Sequence, residues 1–235
     1  MSKKNSKIID PIYREKFIED LNRFISKVQA VENNNPTTCA TVFSNSDQYS
    51  KEKIYLQEIA SEQFSTTKDR GDALEKLIWE IFNRIELLDG ISMTRKETAL
   101  GQLDLQLITV RDYIYDVWGM IRDKPSVEYI IGECKNYTNP VGKPEIERIC
   151  WRASKGACLA FFIATEYTRD AIDEIAYFNQ NRQNILINSD GVYVIPISVS
   201  MIEAIVENNI NFCYFIKWAI KNSKIMSIVN YLKLS

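Results

Sequence analysis

Tyr-Ile-Ile-Gly-Glu-Cys-Lys-Asn-Tyr, residues 129–137, reads as a β-strand that ends in charge. Aromatic and β-branched residues run up to Glu133 and Lys135. Side chains alternate along a strand, so these two share one face with Tyr129 and Ile131, and Cys134 points the other way, toward a core. The preceding strand-like segment, Gly-Gln-Leu-Asp-Leu-Gln-Leu-Ile at 101–108, adds Asp104 on a face with Gln102 and Gln106, opposite Leu103, Leu105 and Leu107. Two carboxylates and an ammonium converging at a sheet edge make a divalent-metal site with its own cation, an arrangement that suits phosphodiester hydrolysis. Each piece also has a plainer reading. Asp104 fits an edge strand with a solvated polar face, and Glu133 with Lys135 fits a surface ion pair.

Downstream of this strand the pattern alternates. Residues 144–156 read as a helix with Ile146, Ile149, Cys150 and Ala153 inward, and the apolar run 158–165 as a buried strand. A helix over 167–181, short strands over 185–188 and 192–197, and helices over 199–208 and 212–231 follow. Upstream, Asp10 and Pro11 start a helix whose apolar positions are Phe17, Ile18, Leu21, Phe24, Ile25, Val28 and Val31, ended by Asn33, Asn34, Asn35 and Pro36. A second helix covers about 51–64. A third, capped by Asp72, buries Leu74, Leu77, Ile78, Ile81, Phe82 and Ile85 and closes at Asp89-Gly90. Strands are expected over 91–97, 102–110 and 127–135, with an irregular insertion at 111–126. Helix, three strands, helix, strand, helix, strand implies an α/β protein with a mixed sheet and helices on both faces.

Composition narrows the chemistry. Among 235 residues there is no histidine, which excludes Ser-His-Asp and Cys-His triads, histidine-ligated zinc hydrolases and nucleases with a histidine base. A site here relies on carboxylates, Lys, Tyr, Cys or a metal held by oxygen, which favours Mg²⁺ or Mn²⁺. The formal net charge of -2 makes the chain no general polycation, so nucleic-acid contact must come from local patches. No signal peptide or spanning segment is evident, and five cysteines without a Cys-x-x-Cys pair suit a reducing cytoplasm.

Four pieces in order, Arg70-Gly-Asp-Ala-Leu-Glu75 on a helix, Gly101-Gln-Leu-Asp104, Gly132-Glu-Cys-Lys135 and Ala164-Thr-Glu-Tyr-Thr-Arg-Asp-Ala171, resemble the PD-(D/E)xK nuclease superfamily, most closely its Mrr-like branch. The resemblance covers about residues 70–200. It implies a restriction-endonuclease-like mixed sheet flanked by helices, with a helical extension at 1–66, a nuclease core at 67–200 and C-terminal helices at 201–235 packed on that core. It further implies a Mg²⁺-dependent DNA endonuclease, with Mn²⁺ as substitute, acting in restriction or antiviral defence. Asp104 and Glu133 become metal ligands, with the backbone carbonyl of Cys134, and Lys135 the residue that positions or activates the attacking water. Glu75 matches an acidic residue that helps hold the metal. Glu75 also has a local alternative: with Asp72 it resembles a capping box.

Arg148, Arg152 and Lys155 form a stripe on the helix after the catalytic strand, a candidate phosphate contact; Lys217, Lys221 and Lys224 repeat the spacing near the C-terminus. Either stripe is also readable as a solvated helix face. Trp118 and Trp151 fit interface or core. With so little basic surface per copy, a homodimer or a partner protein is expected for work on duplex DNA, with residues 8–64 as the associating surface. The alternative functions are an inactive nuclease-fold scaffold, or a nuclease that cleaves RNA or junctions.

Overall fold

A computed structural model describes residues 11–32, 38–43, 49–61, 63–86, 88–92, 96–98, 101–109, 117, 129–155, 157–185, 192–224 and 227–232. The chain is mixed α/β. Its helices are α1 (Pro11–Glu32), α2 (Ser50–Ser61), α3 (Thr67–Phe82), α4 (Lys143–Ala153), α5 (Arg169–Ile185), α6 (Val199–Glu207) and α7 (Phe212–Lys224), followed by a short 3₁₀ turn, Ser227–Tyr231. Its strands are β1 (Leu88–Ser92), β2 (Lys96–Thr98), β3 (Gly101–Leu103), β4 (Leu105–Thr109), β5 (Tyr129–Lys135), β6 (Ala157–Ala164) and β7 (Tyr193–Ser198).

Five strands form one sheet in the order β1-β4-β5-β6-β7, and β2-β3 is a separate hairpin. β1, β4 and β5 pair antiparallel, whereas β5, β6 and β7 are parallel, each joined to the next through a helix. The parallel half is buried on both faces, so β6 is a continuous apolar run, Ala-Cys-Leu-Ala-Phe-Phe-Ile-Ala. Phe161 packs on one side against Phe82 of α3, which also meets Phe212 of α7. Phe162, facing the other way, packs against Tyr167, whose hydroxyl donates to the Phe162 carbonyl at 2.6 Å and accepts the Ile197 N–H at 3.2 Å.

The N-terminal helices belong to the same hydrophobic core. Phe17 of α1 lies 6.1 Å from Phe215, 5.4 Å from Trp218 and 5.8 Å from Tyr231, centroid to centroid. Glu52 of α2, fully buried, receives both Nε (2.5 Å) and Nη2 (2.9 Å) of Arg84 just beyond α3. The guanidinium also lies over the Tyr49 ring, and the Tyr49 hydroxyl donates to the Ile210 carbonyl at 2.7 Å. A buried carboxylate is tolerated there because both of its oxygens are bonded. The apolar face of α1 is thus occupied within the chain, which removes the reason for assigning residues 8–64 to association. Val31, expected on that face, is 85% exposed.

Several boundaries differ from expectation. α3 begins at Thr67, with the Thr66 hydroxyl accepting the Asp69 N–H, so Asp72 lies inside the helix instead of capping it. Asp89 and Gly90 belong to β1 and do not close a helix. The strand expected at 91–97 is divided between β1 and β2, and the one at 102–110 is interrupted at Asp104. Tyr167 bridges Val141 ahead of α5, and Ile185 ends α5 where a strand was expected to begin. The helix expected at 212–231 stops at Lys224. Asp10, the turn at 33–36, residues 186–188 of the expected strand, and the 111–126 insertion except Val117, with its Trp118, lie outside the described residues.

Candidate active site

The site forms where β4 and β5 meet. Their antiparallel register pairs Leu105 with Gly132, so one residue further on Asp104 stands opposite Glu133. Gly132 leaves room for this approach: a Cβ there would lie 3.0 Å from both Cβ and Cδ2 of Leu105, which would have to shift. Asp104 sits between β3 and β4 and takes no strand assignment of its own. Its carboxylate substitutes for a ladder bond, with Oδ2 accepting the Cys134 N–H at 2.8 Å. That hydrogen bond joins the two strands and brings the Asp104 carboxylate to the end of β5.

Lys135 completes the group. Its Nζ lies 2.7 Å from Glu133 Oε1 and 3.7 Å from Asp104 Oδ2. The carboxylates are nearly enclosed, Asp104 at 8% and Glu133 at 6% exposure, so this is no solvated surface pair. Burial and then the charge of Asp104 push the Glu133 carboxyl above its ordinary range, opposed by Lys135 and Arg152. Burial draws the Lys135 ammonium downward, but Glu133 and Asp104 outweigh it and the net shift is upward. The Cys134 thiol is buried on the opposite face, and burial together with Asp104, Glu75 and Glu133 raises it well above its usual value. It is a core thiol and no nucleophile.

Arg152 is the residue whose place spacing alone did not reveal. It reaches from the last turn of α4 to donate Nη1 to Glu133 Oε2 at 2.8 Å, with its side chain only 12% exposed. It is therefore turned toward β5, whereas Arg148 and Lys155 of the same stripe are exposed. Lys155 lies over the Trp151 ring, which is 56% exposed. A signal was present in the sequence. Arg152 follows Ile149 by one turn and precedes Ala153, placing it nearest of the three to the buried arc of α4. In the second stripe, Lys217 pairs with Glu32 at 2.5 Å and Lys221 lies over Phe24. The Lys224 side chain lies outside the described residues.

Glu75 is buried in α3, which packs against β5 and brings the carboxylate within electrostatic reach of the Cys134 thiol. With Thr66 as the cap, the capping-box role of Glu75 falls away. Asn136, next after Lys135, donates Nδ2 to the Arg70 carbonyl at 2.9 Å and ties the end of β5 to the first turn of α3. A buried amide beside a charged strand end has to find such a partner.

The donors that converge are hard oxygens, the carboxylates of Asp104 and Glu133, both within reach of the Lys135 ammonium. Among the described residues no group of three or more Asp, Glu, Cys or His stands together as a metal-holding cluster. A pair of carboxylates fits Mg²⁺, which keeps several waters and binds through one or two carboxylates. Among the described residues no helix is long and apolar enough to cross a membrane. Comparison with protein-family models, curated proteins and solved structures finds no match to the chain.

Proposed function

We propose that this chain is a metal-dependent endonuclease of restriction-endonuclease-like architecture that hydrolyses DNA phosphodiester bonds in restriction or defence against foreign DNA. The observation that carries the reading is the convergence of Asp104, Glu133 and Lys135 at one end of β5, nearly enclosed, with the ammonium 2.7 Å and 3.7 Å from the two carboxylates. The antiparallel pair leading into a parallel crossover, with a helix against β5, supports the architecture.

Asp104, Glu133 and the Cys134 carbonyl would hold Mg²⁺ or Mn²⁺, with Glu75 reinforcing the negative charge from α3. Such a cation lowers the pKa of water and offsets phosphate charge. Lys135 stays protonated, because the carboxylates raise its pKa, so it acts as a hydrogen-bond donor to the attacking water and to the charge that develops on the phosphate. Arg148 and Lys155, the exposed cations nearest in sequence to Arg152, would contact backbone phosphates through their charge. A homodimer or partner protein would supply the second cut and further basic surface. Among the described residues, Cys39, Cys134, Cys150 and Cys213 are buried as thiols, which suits a reducing, cytoplasmic setting.

Incubation with plasmid, methylated plasmid and RNA, in Mg²⁺, Mn²⁺ or EDTA, tests the proposal. Nicked or linear DNA in Mg²⁺ or Mn²⁺, abolished by EDTA, is expected. Binding of DNA without cleavage in any metal identifies a scaffold instead, and cleavage of RNA alone changes the substrate. Full activity after metal stripping removes the metal from the mechanism.

A further inference from the structure

We infer that Arg152 is a positioning residue that makes Glu133 a one-oxygen donor and thereby sets the preference of the site for Mg²⁺ over Ca²⁺. The inference rests on the proposed metal site and adds to it a role for a side chain outside the ligand set.

The two oxygens of Glu133 are divided between two cations. Oε1 faces Lys135 at 2.7 Å, and Oε2 faces Arg152 at 2.8 Å. A guanidinium on Oε2 fixes the carboxylate plane and leaves Oε1 on the side of Lys135. Arg152 is itself held firmly, because α4 is seated on the sheet by Ile146, Ile149, Cys150 and Ala153, all buried. A cation in the last turn of a helix is favoured by the helix dipole alone. That account leaves the direction of the side chain unexplained, since it is 12% exposed and bonded to a carboxylate of another element.

The consequence follows from coordination chemistry. Mg²⁺ demands near-octahedral geometry with single-oxygen carboxylate donors, whereas Ca²⁺ accepts more oxygens and readily takes a carboxylate by both. Engagement of Oε2 by Arg152 disfavours the two-oxygen mode. Without Arg152 the carboxylate is free to rotate and offer both atoms, which favours the larger ion. Both ions carry the same charge, so loss of a neighbouring positive charge alters both affinities alike and cancels in their ratio.

The test is calorimetric titration of the full chain with Mg²⁺ and with Ca²⁺, without nucleic acid, for wild type, Arg152→Met and Arg152→Lys, with a melt of each. In Arg152→Met the ratio of Mg²⁺ to Ca²⁺ affinity is expected to fall about tenfold, the scale of effect for partners that orient metal ligands. Arg152→Lys, which still offers a donor to Oε2, is expected to keep most of the preference. An unchanged ratio in a folded Arg152→Met chain overturns the inference. If Arg152→Met does not fold, Arg152→Lys decides with its structure: a preference that follows the bond to Oε2, kept where the bond is kept and lost where it is lost, supports the positioning role, and a preference that does not follow that bond overturns it. A wild-type chain that binds neither ion overturns the metal site itself, an outcome distinct from an unchanged ratio.

Discussion

The Asp104 carboxylate accepts the main-chain N–H of Cys134 at 2.8 Å, so one candidate metal ligand also closes the junction between β4 and β5. Position and stability are therefore coupled at this residue. Asp104→Ala would leave the buried Cys134 N–H without its acceptor and is expected to cost about 1–3 kcal/mol, whereas Asp104→Asn retains an acceptor and costs less. Both substitutions should abolish cleavage. Urea titrations beside a plasmid assay check the pair; an Asp104→Asn chain that cleaves like wild type would remove Asp104 from the chemistry.

Glu75 and Thr66 should separate cleanly. Thr66 caps α3, so Thr66→Ala is expected to lower stability by roughly 0.5–2 kcal/mol with metal affinity kept. Glu75→Gln should weaken metal binding while leaving the melting temperature close to that of wild type. Calorimetric metal titration with a thermal melt of each variant distinguishes them, and unchanged metal affinity in Glu75→Gln would return Glu75 to a structural role.

The raised carboxyl of Glu133 has a pH signature. Burial, then Asp104, holds its folded pKa above the unfolded value. The folded chain therefore binds that proton more tightly. Its stabilising contribution is full below the unfolded carboxylate pKa and is lost as pH rises through the raised folded value. In chelator, wild type should lose stability across that interval relative to Glu133→Gln, which does not titrate. Urea midpoints over a pH series measure the difference, and parallel pH profiles for the two proteins would contradict it.

Phe17 tests whether α1 is part of the core. It is 3% exposed and contacts Phe215, Trp218 and Tyr231. Phe17→Ala should destabilise the chain by about 3–5 kcal/mol. Removal of residues 1–66 should expose the α7 aromatics and give aggregated protein in light scattering. A stable, monodisperse 67–235 fragment would show the N-terminal helices to be dispensable.

Much of the framework was legible from pattern alone. The apolar stripe at Ile146, Ile149, Cys150 and Ala153 is buried as read, and the run that became β6 is an interior strand. Periodicity reports burial directly, because each element faces one core. Boundaries were less legible where two local signals competed. Asp72 lies ahead of an apolar stripe and resembles a cap, yet Thr66 stands one turn and a half earlier and is the residue that caps. Asp89-Gly90 resembles a helix stop, yet pairing with Ile108 and Leu107 draws both residues into β1.

By itself the sequence determined the chemical menu and its order along the chain: no histidine, Asp104 before Glu133 and Lys135, and those last two on one strand face because strand periodicity is two. Tertiary structure alone decided which of these charges meet. The Leu105–Gly132 register brings Asp104 opposite Glu133, and the packing of α4 on the sheet turns Arg152 inward while Arg148 and Lys155 remain exposed. Convergence depends on strand register and helix seating, which are set by contacts between residues far apart in the chain, so no local pattern contains it.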